Sequence, residues 1–372
     1  MVSSPMIVSP RETRVVWHSW RGPVCASLFF AAGLYTILLG AAVMAQEPRF
    51  FRIGTAATGG SFFEIGGLVA GAISSPADGP PCGRGGSCGV RGLVAVAQAT
   101  PGSIENLRLI NSGQFESGFA QADLAGWAYT GVNVFADAGP LRRLRAIASL
   151  FPEAAHLVVR AESPIHSFSD LKGKKVSLGE TGSGTAADAA VLLAAAGLGE
   201  HDLARKYLRP GPAAEELKAG SLDALFLVGG YPIPVIHDLA ASVPIRLVPI
   251  EGEFVDALRK NFSFYRLTNI PADSYPGIDT DTLSLGFSAL WVVNADVDSD
   301  LVYAITQALW NPATAKQLTA LNPIGNRIRL FRALDGLSVP LHPGAARFYR
   351  EADMKLDGVP EAAAQPVERK GP

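Results

Sequence analysis

The sequence predicts an α/β protein of two lobes, each with a parallel sheet and helices on both of its faces. Strand-like apolar segments alternate with helical segments along the chain. Glycine accounts for 39 of 372 residues, and many glycines lie where a predicted strand gives way to a helix. A typical domain has roughly 100–200 residues, so this length suggests two domains or two lobes. With 48% hydrophobic residues the chain has ample material for a core.

Apolar runs that end in glycine or polar residues predict the strands. We expect strands at Arg52–Thr55, Leu93–Gln98, Gly118–Ala120, Leu144–Leu150, His156–Arg160, Lys174–Gly179, Ala224–Val228, Ile245–Ile250 and Ala289–Val293. Helical periodicity and capping residues predict the helices. We expect helices capped by Ser61, Ser103 and Asp123, a short one opened by Asp170, an alanine-rich one after Thr185, and helices at Ala213–Ala219 and Leu301–Trp310.

The first 45 residues have the features of a secretory signal peptide. Arg11, Arg14 and Arg21 precede an apolar stretch from Pro23 to Ala45 that ends in small residues. We expect cleavage after Ala45. An uncleaved membrane anchor is the alternative, since roughly 20 apolar residues can span a bilayer. Both alternatives export everything after Gln46.

The charge balance argues against a nucleic-acid partner, which would require a basic face. Removing residues 1–45 takes away three arginines and one glutamate, which changes the formal net charge from −2 to −4. The exported part is therefore mildly acidic.

Cys82 and Cys88, the two cysteines beyond the leader, favour a disulfide. They lie in a glycine-rich segment of an exported chain, where the compartment is oxidising. Two free thiols are the alternative. A zinc site would need a further pair of ligands at suitable spacing, so we expect no metal and no cofactor.

Enzyme motifs are incomplete. The segment from Gly179 to Thr185 resembles a phosphate-binding loop, but Thr185 and Ala186 stand where that loop needs lysine and serine or threonine. No nucleophile elbow surrounds Ser183, and none of the six histidines is in a metalloprotease pattern. We therefore expect a protein that is not an enzyme.

Four loops share one pattern, in which small polar residues or glycines follow a strand and precede a helix. They are 54–61, 121–123, 179–185 and 228–232. In open α/β sheets, ligands bind beyond the carboxyl ends of the strands, and helix N-termini there favour anions. These loops are therefore candidates for one ligand site.

Eleven short segments, spread in order over most of residues 50–350, carry a resemblance to a known family. They are Gly54–Phe63, Ser87–Gln98, Gly102–Asn106, Gly118–Ala125, Leu144–Glu153, Asp170–Lys174, Gly182–Thr185, Val228–Pro232, Ile270–Ala272, Tyr275–Gly277 and Leu341–Ala345. The chain thereby resembles the TAXI family of solute receptors of TRAP transporters. It departs from the family pattern at Phe62-Phe63, where a tyrosine is common, and at Glu64 and Arg91, where proline is common.

This resemblance implies a type II periplasmic-binding-protein fold, with two α/β lobes joined by a two-strand hinge and a ligand cleft between them. It implies a periplasmic receptor that closes on a small acidic solute, such as glutamate or a dicarboxylate, and delivers it to membrane permease subunits. We expect a monomer. We assign residues 47–153 and 292–372 to the first lobe and 154–291 to the second. A periplasmic sensor that presents its closed form to a signalling partner is the alternative, and neighbouring genes would discriminate the two.

The family pattern transfers to residues of the four loops. The implied ligand-binding residues are Thr55, Thr58, Gly59, Gly60, Ser61, Phe62, Gln121, Asp123, Thr181, Gly182, Ser183, Gly184, Thr185 and Gly229. Hydroxyls and backbone N–H groups would bind carboxylates, and Gln121 would bind an amide or ammonium. Asp123 has two interpretations, as a ligand for an amine or as a helix N-cap.

Overall fold

The structure is a computed structural model that describes residues 48–82, 87–262 and 264–362, all within one unit of the chain. The expected signal peptide, residues 1–45, lies outside the described residues. The strands are β1 (Arg49–Gly54), β2 (Ser74–Ser75), β3 (Val90–Arg91), β4 (Leu93–Gln98), β5 (Ser117–Gln121), β6 (Leu144–Arg160), β7 (Lys175–Ser177), β8 (Ala204–Lys206), β9 (Ala224–Gly229), β10 (Ile245–Val248), β11 (Arg266–Ile270) and β12 (Thr282–Asn294). The helices are α1 (Ser61–Ile73), α2 (Ser103–Ser112), α3 (Ala122–Thr130), α4 (Gly184–Ala195), α5 (Pro210–Lys218), α6 (Pro234–Ser242), α7 (Glu253–Asn261), α8 (Ser299–Leu309), α9 (Pro312–Leu321) and α10 (Pro343–Glu351).

Two long strands, β6 and β12, connect two groups of shorter strands. They pair with each other in antiparallel orientation. On one side β12 pairs with β5, which continues in parallel through β1 to β4. On the other side β6 pairs with β9, which continues in parallel through β7 to β8. We call β1–β5 with α1–α3 and α8–α10 the first lobe, and β7–β11 with α4–α7 the second lobe.

This arrangement confirms the predicted fold class of two α/β lobes joined by a two-strand hinge. Each lobe has parallel strands, as predicted, but the two connecting strands are antiparallel to their neighbours. The strands expected at Leu144–Leu150 and His156–Arg160 are one continuous strand, β6. Pro152 and Glu153 interrupt its apolar pattern, yet both keep their places in the ladder, opposite Ser288 and Phe287 of β12.

Three helices begin differently from the expectation. Their N-caps are Gly60, Gly102 and Gln121, and none of these makes a side-chain capping bond. Ser61, Ser103 and Asp123 lie instead in the first turns of α1, α2 and α3. The serine hydroxyls are consequently available for contacts outside their own helices.

The core consists of three apolar clusters, one of which continues from the first lobe into the second. The first-lobe cluster surrounds Phe51 and Trp291, and the second-lobe cluster surrounds Leu225 and Tyr275. The third cluster includes Trp127 of α3. Its indole ring contacts Phe262 and Phe264, with ring centroids 6.3 and 5.8 Å away. Aromatic packing therefore joins the two lobes.

Cys82 and Cys88 form a disulfide, with their Cα atoms 4.7 Å apart, which confirms the predicted pair. Within the described ranges, no helix has both the length and the apolar character required to cross a bilayer. The same ranges contain no cluster of three or more histidine, cysteine, aspartate or glutamate side chains placed to hold a metal ion.

Candidate functional site

A cavity of about 60 Å³ lies between the lobes, at the point where β6 passes from one to the other. The first lobe contributes the loops before α1, α2 and α3, and the second lobe contributes the loop before α4 and the end of β9. Its lining residues are Ala56, Ala57, Gly60, Ser61, Phe62, Pro101, Gly102, Ser103, Gln121, Glu153, Gly179, Glu180, Ser183, Gly184, Thr185, Pro210, Leu227, Val228 and Ile233. The cavity is therefore bounded by both lobes.

Three helix N-termini meet at this cavity. The first residues of α1, α2 and α4 all line it. The first N–H groups of a helix have no partner within the helix, and the helix dipole makes this end favourable for negative charge. Ser183 caps α4 by accepting a hydrogen bond from Ala186 N. Helix N-termini grouped in this way are suited to a carboxylate.

Hydrogen bonds join the lobes around the cavity. Gly230 N donates to Ser61 Oγ at 3.0 Å, and Gln121 Nε2 donates to Asp188 Oδ2 at 2.5 Å. Gln121 is only 3% exposed, and its Oε1 accepts a hydrogen bond from Ser103 Oγ at 3.0 Å. The lobes are therefore in contact, and the polar residues of the cleft already bond to one another.

Seven of the fourteen residues predicted to bind a ligand line the cavity. They are Gly60, Ser61, Phe62, Gln121, Ser183, Gly184 and Thr185. Serine, threonine and glutamine supply polar groups to the lining, and Phe62, Leu227 and Ile233 supply apolar ones. The fold therefore brings predicted binding residues from three of the four loops to one cavity.

The other seven lie in the same loops but not on the cavity wall. They are Thr55, Thr58, Gly59, Asp123, Thr181, Gly182 and Gly229. Thr55 is buried, and its Oγ1 donates to Gln98 O at 2.8 Å, whereas Thr58 and Thr181 are exposed. The Gly59 and Gly182 carbonyls accept hydrogen bonds from the opposite lobe. A Cβ at Gly229 would lie 2.9 Å from Ser61 Oγ, so glycine permits close approach of the lobes there.

Asp123 is neither a helix N-cap nor part of the cavity wall. It is 1% exposed and lies beside Asp188 of α4 and the hydroxyl of Tyr265. Its Oδ1 accepts a hydrogen bond from Leu124 N at 2.8 Å, while its Oδ2 has no partner among the described residues. Burial raises the pKa of Asp123, and burial together with the charge of Asp123 raises the pKa of Asp188 well above its usual range.

Glu153 was not among the predicted binding residues, although the structure places it on the cavity wall. It is 1% exposed, and burial, with a further contribution from Asp123, raises its pKa well above the usual range. The sequence does hold a clue, because Glu153 is the one acidic residue in a 17-residue, mostly apolar strand. Glu180 and Ser103 also line the cavity; Glu180 lies in the candidate loop 179–185 and Ser103 was expected as a helix cap, but neither was predicted to bind a ligand.

The three departures from the TAXI pattern have different positions. Phe62 packs edge-on against Phe119 and Phe151, with centroids 5.7 and 6.1 Å apart. Glu64 accepts a hydrogen bond from Asn322 Nδ2 at 2.8 Å and does not line the cavity. Arg91 donates to Ala77 O at 2.7 Å. Only Phe62 therefore bears directly on the cavity.

Several solved structures of binding proteins are similar to this chain at low sequence identity. The alkanesulfonate-binding protein SsuA from Xanthomonas axonopodis pv. citri, bound to MOPS, is 18% identical, with a TM-score of 0.44 over 81% of this chain and 84% of that one. The periplasmic aliphatic sulphonate binding protein SsuA from Escherichia coli is 15% identical, with a TM-score of 0.41 over 88% and 95%. An ancestral arginine-binding protein bound to arginine is 14% identical, with a TM-score of 0.41 over 82% and 99%.

A family model gives the assignment of this chain. The model described as the NMT1-like family matches residues 53–352, which include most of both lobes, the two connecting strands and every residue of the cavity wall. The chain therefore belongs to the NMT1-like family.

Proposed function

We propose that this protein is a periplasmic receptor of a TRAP-type secondary transporter. In this role it works as a monomer that captures a small acidic solute, either a glutamate-like amino acid or a dicarboxylate, and delivers it to the membrane permease. The observation that carries the proposal is the cavity between the lobes, whose walls come from both lobes and receive three helix N-termini.

Binding and closure are coupled in this proposal. A solute stabilises the closed form only if it contacts both lobes, since contacts that are equal in the two forms shift no population. Backbone N–H groups of α1 and α2 would hold it from the first lobe, and those of α4 from the second. We take residues 47–153 with 292–372 as one moving body and 154–291 as the other. The hinge then falls in β6 and β12.

A binding role also agrees with the chemistry of the cavity wall. The described lining residues include three serines, one threonine and two glutamates but no histidine, lysine or cysteine, so no serine has a histidine or lysine base on the wall to activate it. An exported protein with this wall is better suited to hold a solute than to transform it.

Small-angle scattering tests the proposal on the chain from residue 46 onward. A thermal-shift screen of amino acids and dicarboxylates first identifies a solute that raises the melting temperature, since binding at 100 times Kd adds about 2.7 kcal/mol of stability. We expect the radius of gyration to fall when that solute is added. A solute that raises the melting temperature without compaction would contradict closure.

A further inference from the structure

Glu153 occupies an unusual position for an acidic side chain. It lies in β6 opposite Phe287 of β12, where the chain passes between the lobes. It is 1% exposed and lines the cavity of the cleft. A carboxyl group is therefore placed in the wall of the proposed solute site, on the strand that connects the two lobes.

This carboxyl group lacks a partner in the described part of the protein. Glu153 Oε2 is buried and has no hydrogen-bond partner, and no ion pair includes this residue. Burying an ionised carboxylate costs several kcal/mol unless opposite charge and hydrogen bonds compensate. A proton on the carboxyl group, or a hydrogen-bond donor supplied by a bound solute, would satisfy it.

The surroundings do not supply the missing positive charge. Asp123 of α3 and Asp188 of α4 are acidic neighbours, and Glu180 on the cavity wall pairs with Arg209 at 2.8 Å. Among the described residues that line the cavity there is no lysine, arginine or histidine.

A second pocket, of about 140 Å³, is also lined by Glu153. Three arginines line it, and none of them lies within ion-pair distance of Glu153 in the described chain; they are Arg266, Arg327 and Arg332. The guanidinium of Arg327 lies over the ring of Tyr231, 3.8 Å from its centroid. Burial and the neighbouring Asp123 raise the pKa of Glu153 well above its usual range, which favours the protonated form of this carboxyl group in the empty site.

Given the proposed receptor function, we propose that Glu153 is the specificity-determining residue of the cleft and that it binds a protonated nitrogen of the solute. The nitrogen belongs to an ammonium or guanidinium group, whose N–H donors satisfy the carboxylate and whose charge replaces the proton. That proton leaves to the solvent as the solute binds. We take the cation to be organic; among the described residues, no group of three or more histidine, cysteine, aspartate or glutamate side chains is placed to hold a metal ion.

The proposal divides the solutes considered above into two classes. An amino acid places its ammonium at Glu153 and a carboxylate at the helix N-termini. A dicarboxylate offers the helix N-termini the same group but leaves Glu153 without a cation. The cleft therefore selects for the nitrogen, and its net acidic wall opposes a purely anionic solute.

Matched solute pairs that differ only in the amine test this on the chain from residue 46 onward. The pairs are glutamate with glutarate, aspartate with succinate, and alanine with propionate; agmatine and putrescine supply cations without a carboxylate. We expect titration calorimetry to show that the amine-bearing member of a pair binds at least about ten-fold more tightly than its amine-free partner. This ratio of affinities corresponds to the free energy of one charge-assisted hydrogen bond. We also expect the affinity of the amine-bearing solute to increase with pH, with about one proton released per solute bound.

Two variants identify the residue responsible. Glu153→Gln keeps the shape of the side chain but removes its charge. We expect this variant to bind the amine-bearing solute about ten-fold or more weakly than the wild type, and to release no proton on binding. Glu162→Gln makes the same substitution at an exposed side chain just beyond β6, and we expect it to bind like the wild type. If Glu153→Gln does not fold, the number of protons released by the wild type on binding still tests the role of Glu153.

The outcomes separate the two proposals. Tighter binding of the amine-free partner, unchanged affinity in Glu153→Gln, or no proton release would overturn the role of Glu153 while leaving the receptor function intact. If no member of the panel, cationic, zwitterionic or anionic, changes the melting temperature or the scattering, the receptor function itself fails, and this role of Glu153 fails with it.

Discussion

Gly184 is the residue at which the closed cleft leaves least space for a side chain. A Cβ added there would lie 1.4 Å from Gln121 Oε1 and 2.9 Å from Ser103 Oγ. Gln121 cannot easily move away, because Ser103 and Asp188 hold its two polar atoms. Closure of the lobes therefore depends on the absence of a side chain at this position.

We expect Gly184→Ala to hold the lobes apart. Overpacking of this kind costs about 1–3 kcal/mol, which corresponds to a loss of affinity of roughly ten- to a hundred-fold. With the solute present, scattering should show a larger radius of gyration for the variant than for the wild type, and calorimetry should show the weaker binding.

Gly67→Ala is the matched control, because a Cβ at Gly67 of α1 meets nothing within 4 Å. It should leave the radius of gyration and the affinity unchanged. Equal scattering and equal affinity in the two alanine variants would show that the close approach at Gly184 does not govern closure.

At the scale of residues, the sequence predicts which loops form the site better than which atoms do. The rule that ligands lie beyond the carboxyl ends of strands brings Gly60, Ser61, Gln121 and Ser183 to one cavity. It cannot tell a hydroxyl that faces the cavity from one such as that of Thr55, which faces a backbone carbonyl. Glu153 was missed because a pattern of loops does not consider a residue inside a strand.

At the scale of elements, helices α3 and α4 bring two acids together across the lobe boundary. Asp123 and Asp188 are each 1% exposed, and one oxygen of each has no partner in the described structure. One proton shared between the two carboxyl groups would satisfy both oxygens, in agreement with the raised pKa of each group. The pair thus makes the contact between the lobes sensitive to protonation.

We expect Asp188→Asn to stabilise the protein at neutral pH. An acid whose folded pKa is raised favours folding below its unfolded pKa of about 3.9, and this contribution is lost as the pH rises through the folded pKa. The asparagine cannot ionise, can donate to Asp123, and still accepts from Gln121. In calorimetry, the melting temperature of Asp188→Asn should be close to that of the wild type near pH 4 and higher than that of the wild type at pH 8. The difference at pH 8 should correspond to roughly 1–3 kcal/mol in the free energy of unfolding.

Asp137→Asn provides the control, since the Asp137 side chain is exposed and belongs to no ion pair among the described residues. Its difference from the wild type should not change with pH. If the melting temperature of Asp188→Asn followed the wild type at every pH, the proposed protonation of the pair would be wrong.

The alternation of strands and helices predicted the elements more successfully than their connections. It gave two α/β lobes and most strand positions, because apolar runs of strand length are visible in a single sequence. It divided β6 at Pro152, since local pattern does not reveal that β12 continues the ladder on the neighbouring edge. The N-caps of α1, α2 and α3 lie one or two residues before the predicted ones. In two of these helices the cap is glycine and not the predicted serine.

At the scale of the whole molecule, β6 and β12 serve two purposes. Each extends into both lobes, so bending in the segment around Phe151–Ala154 and Gly286–Ala289 would move one lobe relative to the other. Glu153 lies in this same segment and on the cavity wall. A solute held there would contact the moving bodies and the hinge at once.

The ring packing of Trp127 gives the molecule an optical reporter of its own conformation. Of the three tryptophans in the described chain, Trp291 lies in the connecting strand β12 and packs against Phe119 of the first lobe, and Trp310 follows α8 of the first lobe. Trp127 of the first lobe is instead 4% exposed against rings of the second. Opening would bring water to this indole alone, so a solute that closes the cleft should blue-shift the intrinsic emission. A Trp127→Phe variant that retained the shift would assign the signal elsewhere. With that control, lobe motion can be followed in real time on an unlabelled protein.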